Sequence, residues 1–298
     1  MSRSLTIRPP RADELGRVAA FLACLNPESE HHIGYCGADE TEIFQTLEND
    51  FGEVPVPEAF VLAERGEQLV GALGFYADIE TGFLELWGPF ALGEDRAVVA
   101  DRLWNALALP PEAARLELFC NARNVLCTDF AFRHGFTEGS RAQILGAVPG
   151  TETESSSGLE ARDFGAFVAL HDALFPDTYY SGATILKRLG PHRQVFAERG
   201  APGLFGYAHA EVAPEFGEGS LEFVGVAPGV RGRGLGAKLV RSALTWTFSL
   251  GVREVTLTVG AEDEAAGRLY RRAGFALRHE MRAFRKSLTA DEVRPGTV

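Results

Sequence analysis

The residues with the clearest chemical use are Arg231-Gly232-Arg233-Gly234-Leu235-Gly236-Ala237-Lys238. Three glycines at alternate positions accept positive φ and let the backbone approach a ligand closely. Arg231, Arg233 and Lys238 add positive charge. The run follows the apolar stretch Leu221 to Val226, which reads as a strand. It precedes Ala237 to Leu250, where Leu239, Val240, Leu244 and Phe248 recur near a 3.6-residue period and predict a helix. A strand, a glycine-rich turn and a helix start place amide N–H groups without intrahelical acceptors at the positive end of the helix dipole. That arrangement binds phosphate. The spacing fits neither common nucleotide fingerprint: Gly236 is followed by Ala237 rather than Lys, and alternate glycines do not give Gly-x-Gly-x-x-Gly. A glycine-rich surface loop or an RGG-like RNA-binding segment is the alternative for the motif taken alone.

A second cluster follows. Val255 to Val259 reads as a strand, Ala261 to Ala273 as a helix, and Gly274-Phe275 as its end, with Gly274 a helix-terminating glycine. Two family patterns match these stretches. Arg231, Gly234 and Gly236 fit Arg/Gln-x-x-Gly-x-Gly/Ala. Asp263, Ala266, Tyr270, Gly274 and Phe275 fit Asn-x-x-Ala-x-x-x-Tyr-x-x-x-Gly-Phe, with Asp for Asn. In these residues the chain resembles the GNAT N-acetyltransferase superfamily. The resemblance is carried by about Leu221 to Phe275 and extends more weakly over the C-terminal half. It implies acetyl-CoA as co-substrate, entering between two strands that splay apart. The residues it implies for that ligand are Val224, Val226, Arg231, Gly232, Arg233, Gly234, Leu235, Gly236, Asp263 and Ala266.

The implied chemistry is acetyl transfer to a primary amine of a small molecule. An alkyl amine is mostly ammonium at neutral pH, so a base must remove a proton and an acid must protonate the leaving thiolate. Glu222, interrupting an apolar strand, is the expected base, acting through water; the alternative is the solvent side of an alternating strand. Tyr270 is the expected acid; the alternative is a packing aromatic. Glu211 and His209, on the strand Gly206 to Val212, are reserve bases, and His209 is also counted at the acceptor site. The acceptor itself is expected at Phe175 to Gly182, where Asp177 meets the ammonium and Tyr179 and Tyr180 line a pocket; the alternative is an ordinary interhelix loop. Rival readings are a non-catalytic acyl-CoA-binding or regulatory protein, and a transferase using another acyl-CoA or a peptide acceptor.

Composition narrows the class. At 298 residues the chain suffices for two domains. Residues 1–150 hold 11 Arg, no Lys and 23 acidic side chains, a net −12, while residues 151–298 hold 18 of each sign. The acidic half argues against nucleic acid as partner. No run approaches the roughly 20 apolar residues of a membrane span, and no apolar segment follows the N-terminus as in a secretory signal. Cys24, Cys36, Cys120 and Cys127 form no CxxC pair and read as reduced thiols, so a cytoplasmic protein without a membrane partner is expected. His and Cys do not cluster at ligand spacing, and no metal is expected.

The halves repeat one order. Leu84-Glu85-Leu86-Trp87-Gly88 parallels Leu221 to Gly225 at an offset of 137, and Gly135-Phe136 parallels Gly274-Phe275 at 139. Asp13 and Asp163 each read as a helix start, and Thr151 to Gly158 as a linker. The expected fold is α/β (α+β): two GNAT-like domains in tandem, each a mixed, mostly antiparallel sheet flanked by helices. The expected boundaries are 1–150 for a degenerate copy and 151–298 for a catalytic one. The first copy reads Leu92-Gly93-Glu94-Asp95 where the second binds phosphate, and Ala131 stands in place of Tyr270. Two copies in one chain imply a monomer.

Overall fold

The computed structural model describes residues 4–49, 51–150, 156–176, 178–201, 203–289 and 293. By their contacts these fall into two compact units: Met1–Ala142 with His279–Val298, and Gln143–Arg278.

The first unit starts with β1 (Leu5–Arg8), α1 (Leu15–Leu25), α2 (Glu40–Asn49), α3 (Val56–Ala59) and the hairpin β2 (Phe60–Arg65) and β3 (Gln68–Asp78). Then come β4 (Phe83–Ala91), α4 (Arg96–Ala106), β5 (Arg115–Asn121), α5 (Val125–Arg133) and β6 (Thr137–Ala147). Its sheet runs β1-β2-β3-β4-β5 and is extended by β12 and the start of β6. All described pairings are antiparallel except β4 with β5.

The second unit takes the end of β6, then β7 (Ser157–Gly158), α6 (Phe164–Leu174), α7 (Gly182–Arg188), β8 (Arg193–Gly200), β9 (Gly203–Ala213) and β10 (Glu218–Val226). It closes with α8 (Leu235–Ser249), β11 (Glu254–Gly260), α9 (Glu264–Arg272) and the first residues of β12 (Ala276–Ser287). Its strand order is β6-β11-β10-β9-β8-β7.

The last strand of the sequence thus belongs largely to the first unit. Met281 to Ser287 pair with Asn121 to Arg115. Phe284 is fully buried in the first unit's core, and Arg282 bridges Glu138 at 2.6 Å. The contact division leaves Gln143 to Gly150 with the second unit, where Leu145 and Ala147 are buried in the core.

Strand alternation separates the second unit's two faces. Ala208, Ala210 and Val212 of β9 pack with Leu239, Val240, Ala243 and Leu244 of α8. Tyr207 turns the other way, to Phe167, Ile185 and Phe223 under α6 and α7. Full burial of one such apolar side chain is worth about 1.5–3 kcal/mol.

Three details differ from expectation. Asp13 does not cap α1: it lies in a 3-10 turn, and Glu14 accepts from the Arg11 amide at 2.8 Å while Arg8 pairs with it. Asp163 does the same before α6, accepting from the Glu160 amide at 3.1 Å and pairing with Arg199. Asp163 therefore matches Glu14. Second, α8 begins at Leu235 rather than Ala237, because Gly234 in the left-handed region (φ 80°) already turns the chain into the helix. Third, of the expected linker, residues 151–155 lie outside the described residues, and Ser157–Gly158 pairs with β8.

Candidate active site

The sheet opens between β10 and β11. They pair in parallel only from Glu218↔Glu254 to Ser220↔Thr256. From Leu221 onward β10 is registered to β9 alone, with Val224 opposite Ala208 and Val226 opposite Gly206. The outer edge of β10 at Val224 and Val226 thus lies beyond the last β11 pair, as an amide-bearing ligand chain needs.

The glycine-rich loop lies at the end of this opening. A 3-10 turn, Pro228–Val230, leads into Arg231, whose Nε donates to the Val226 carbonyl at 2.9 Å and ties the loop to the strand. Gly232 and Gly234 have φ of 78° and 80°, which side chains rarely adopt. The Lys238 amide makes the first bond back to the Gly234 carbonyl, at 3.1 Å, so the amides of Leu235, Gly236 and Ala237 precede the helix ladder. A Cβ on Gly236 would stand 3.2 Å from a Leu269 methyl, so its glycine lets α8 approach α9. These amides, with the exposed Arg231 and Arg233, fit a pyrophosphate. Lys238 does not join them: it is drawn to Glu198 at 2.8 Å.

On α9, the Asp263 carboxylate accepts from the Ala266 amide at 2.9 Å and caps the helix. Asp and Asn serve equally at this position. Ala266 is half-buried. Tyr270 packs edge-on to Phe275, with ring centroids 5.8 Å apart. Burial, and then the nearby Asp263, push its hydroxyl up to about 12, which keeps the proton on at neutral pH.

The acceptor end lies on the α6–α7 face. The register of β9 and β10 slips between Leu221 and Phe223, so Glu222 sits in a β-bulge. Bulges re-aim side chains, and the exposed Tyr179 donates its hydroxyl to the Glu222 carboxylate. The Tyr179 ring lies 5.2 Å from Phe223 and 4.8 Å from Tyr180. Tyr180 is held from below: its carbonyl accepts from His171 Nε2 at 2.8 Å, and His171 Nδ1 lies 2.6 Å from the Tyr207 hydroxyl. A carbonyl only accepts, so His171 Nε2 is the donor in its bond to Tyr180. Asp177 lies outside the described residues.

Neither reserve base is free. Glu211 is clamped by Arg188 at 3.1 Å and Arg193 at 2.8 Å. His209 is fully buried beside Phe223, and burial pulls its ring down to about 4, so it is neutral. Sequence reasoning missed Arg188, His171 and Tyr207. Only a histidine on an apolar helix face marked that network, and a lone one carries little signal.

The first unit has the same elements in another state. β4 and β5 also pair in parallel for three residues, Phe83↔Arg115 to Glu85↔Glu117. Because Arg115 and Glu254 both start their strands, Glu85 falls level with Ser220, and Trp87 takes the place of Glu222. Equating Glu85 with Glu222 is therefore off by a pair of residues. Trp87 is buried against Phe51 at 5.0 Å. Only residues 92–95 link β4 to α4, against 227–234 between β10 and α8. Asp95 pairs with Arg65. Asn124 caps α5 as Asp263 caps α9, Cys127 stands where Ala266 does, and its buried Sγ lies 3.5 Å from the Pro89 carbonyl of β4.

Residues 165–275 match the model of the Acetyltransferase (GNAT) family. This segment is a GNAT acetyltransferase domain. Mycothiol acetyltransferase of Corynebacterium aurimucosum is 39% identical over 79 residues, 26% of this chain and 25% of that protein, so the match spans a quarter of the relative's length. The crystal structure of a GCN5-related N-acetyltransferase from Sphaerobacter thermophilus is similar at TM-score 0.70 and 19% identity, over 98% of this chain and 97% of that one. A tandem GNAT protein from the clavulanic acid biosynthesis pathway gives TM-score 0.64 at 13% identity, over 95% and 98%. These likenesses show a tandem GNAT fold along the chain. Among the described residues no helix is long and apolar enough to cross a membrane.

Proposed function

We propose that the chain is an acetyl-CoA-dependent N-acetyltransferase that acetylates a primary amine of a small molecule in its second unit. The observation that carries this reading is the early end of β10–β11 pairing beside a helix start preceded by left-handed Gly232 and Gly234. When bound, acetyl-CoA supplies the activated thioester. Arg231, Arg233 and the amides of Leu235 and Gly236 hold its pyrophosphate, and the free edge at Val224 and Val226 holds its amides.

Glu222 takes a proton from the acceptor ammonium through water, and the Tyr179 hydroxyl orients the carboxylate. Tyr270 holds its proton at neutral pH and delivers it to the departing sulfur. Asp263 acts as a helix cap that fixes Ala266 and Tyr270 along the opening. The first unit is non-catalytic. The buried thiols of Cys36, Cys120 and Cys127 suit a reducing, cytoplasmic setting.

The test is thiol release from acetyl-CoA over a library of small amines. Turnover of at least one amine, reduced by about 10²–10⁴-fold in Tyr270→Phe, agrees with the reading. Binding of acetyl-CoA without turnover of any amine would contradict it.

A further inference from the structure

The acceptor end carries opposite charges at its two sides, which restricts the amine it takes. Tyr179 donates to Glu222. Its neighbour Tyr180 accepts from Arg188, whose guanidinium also lies 4.0 Å over the Tyr180 ring. Two touching tyrosines thus reach one carboxylate and one guanidinium, with Phe223 beneath Tyr179 and His209 parallel to Phe223. Arg188 and Arg193 share the single carboxylate of Glu211, so this side keeps one positive charge in excess. The Arg188 Nε and both ring nitrogens of His209 are buried without a hydrogen-bond partner. His209 is 0% exposed. Arg188 Nε can only donate, so it calls for an acceptor atom, whereas the neutral His209 ring carries one donor and one acceptor.

Resting on the reading of Glu222 as the amine site, we infer that the acceptor is an amino-acid-like zwitterion, its ammonium at Glu222 and its carboxylate at Arg188. The Nε–Nη2 edge of the guanidinium, whose Nη2 is shared with Glu211, matches a carboxylate. A plain alkyl amine leaves the Arg188 Nε donor unmatched, and a site built to hydrogen-bond one group rejects analogues that lack it.

The probes are the common free amino acids, each paired with its carboxamide and assayed for thiol release from acetyl-CoA. At least one acid exceeds its amide in kcat/KM by about tenfold or more. In Arg188→Met, which keeps a stem over Tyr180 and leaves Glu211 to Arg193, that ratio falls to near one, through KM of the acid. Arg188→Lys, keeping the charge but not the fork, gives an intermediate ratio. An acid and amide used equally well, a ratio unchanged in Arg188→Met, or no turnover of any pair would overturn the inference. Turnover of amines that lack a carboxylate would leave the parent reading intact while removing this one.

Discussion

The two units start from one plan and differ in what fills the opening of the sheet. In the second, β10 leaves β11 after Ser220, a loop at 227–234 turns through Gly232 and Gly234, and Ala266 leaves room along α9. In the first, β4 leaves β5 after Glu85, but Cys127 reaches toward Pro89, the shorter loop 92–95 carries Glu94 and Asp95, and buried Trp87 stands in the place of Glu222. Splayed strands are therefore a property of the fold. A binding cleft needs small residues and backbone donors in addition. A buried Trp or Cys turns the same opening into core.

The largest effect that sharpens this contrast is on chemistry. Tyr270→Phe lowers kcat by about 10²–10⁴-fold with little change in acetyl-CoA affinity, and Glu222→Gln lowers it by a similar factor. Steady-state kinetics with binding measured separately checks both. If the first unit turned over acetyl-CoA, both losses would be small.

Next comes the last strand, β12. Phe284 lies near the C-terminus yet is buried in the first unit's core. Phe284→Ala costs about 3–5 kcal/mol of stability, read as faster hydrogen exchange in β5, where Phe284 pairs with Leu118. Loss confined to the second unit would contradict the placement of β12.

The smallest effect concerns Glu85. Burial, and then the register-paired Glu117, push its carboxyl up to about 7. The folded state thus holds this proton where the unfolded chain has released it, so stability falls as pH rises through about 7. Glu85→Gln removes that loss: thermal melts show a Tm gain of a few degrees at pH 8 and almost none at pH 4.5. A gain equal at both pH values would assign the effect to packing.

Much of this was legible in sequence because the signals are local. The Arg231–Gly236 loop, the Asp263–Phe275 helix and the glycine at each helix end read directly, and Gly135 and Gly274 both have positive φ. What was hidden depends on distant pairing. β12 reads Ala276 to Ser287 with charges throughout, and its partners Glu117 and Glu138 lie about half the chain away. The bulge at Glu222 and the substitution of Trp87 for it emerge only from strand register, since one extra residue in β10 has no local mark.

The central claim, one open cleft in a tandem fold, is tested most directly by calorimetric titration of acetyl-CoA into the intact protein and into Arg231→Glu with Gly234→Glu. The account predicts one equivalent bound by the intact protein and none by the double variant. Two equivalents, or binding that survives the double substitution, would contradict it.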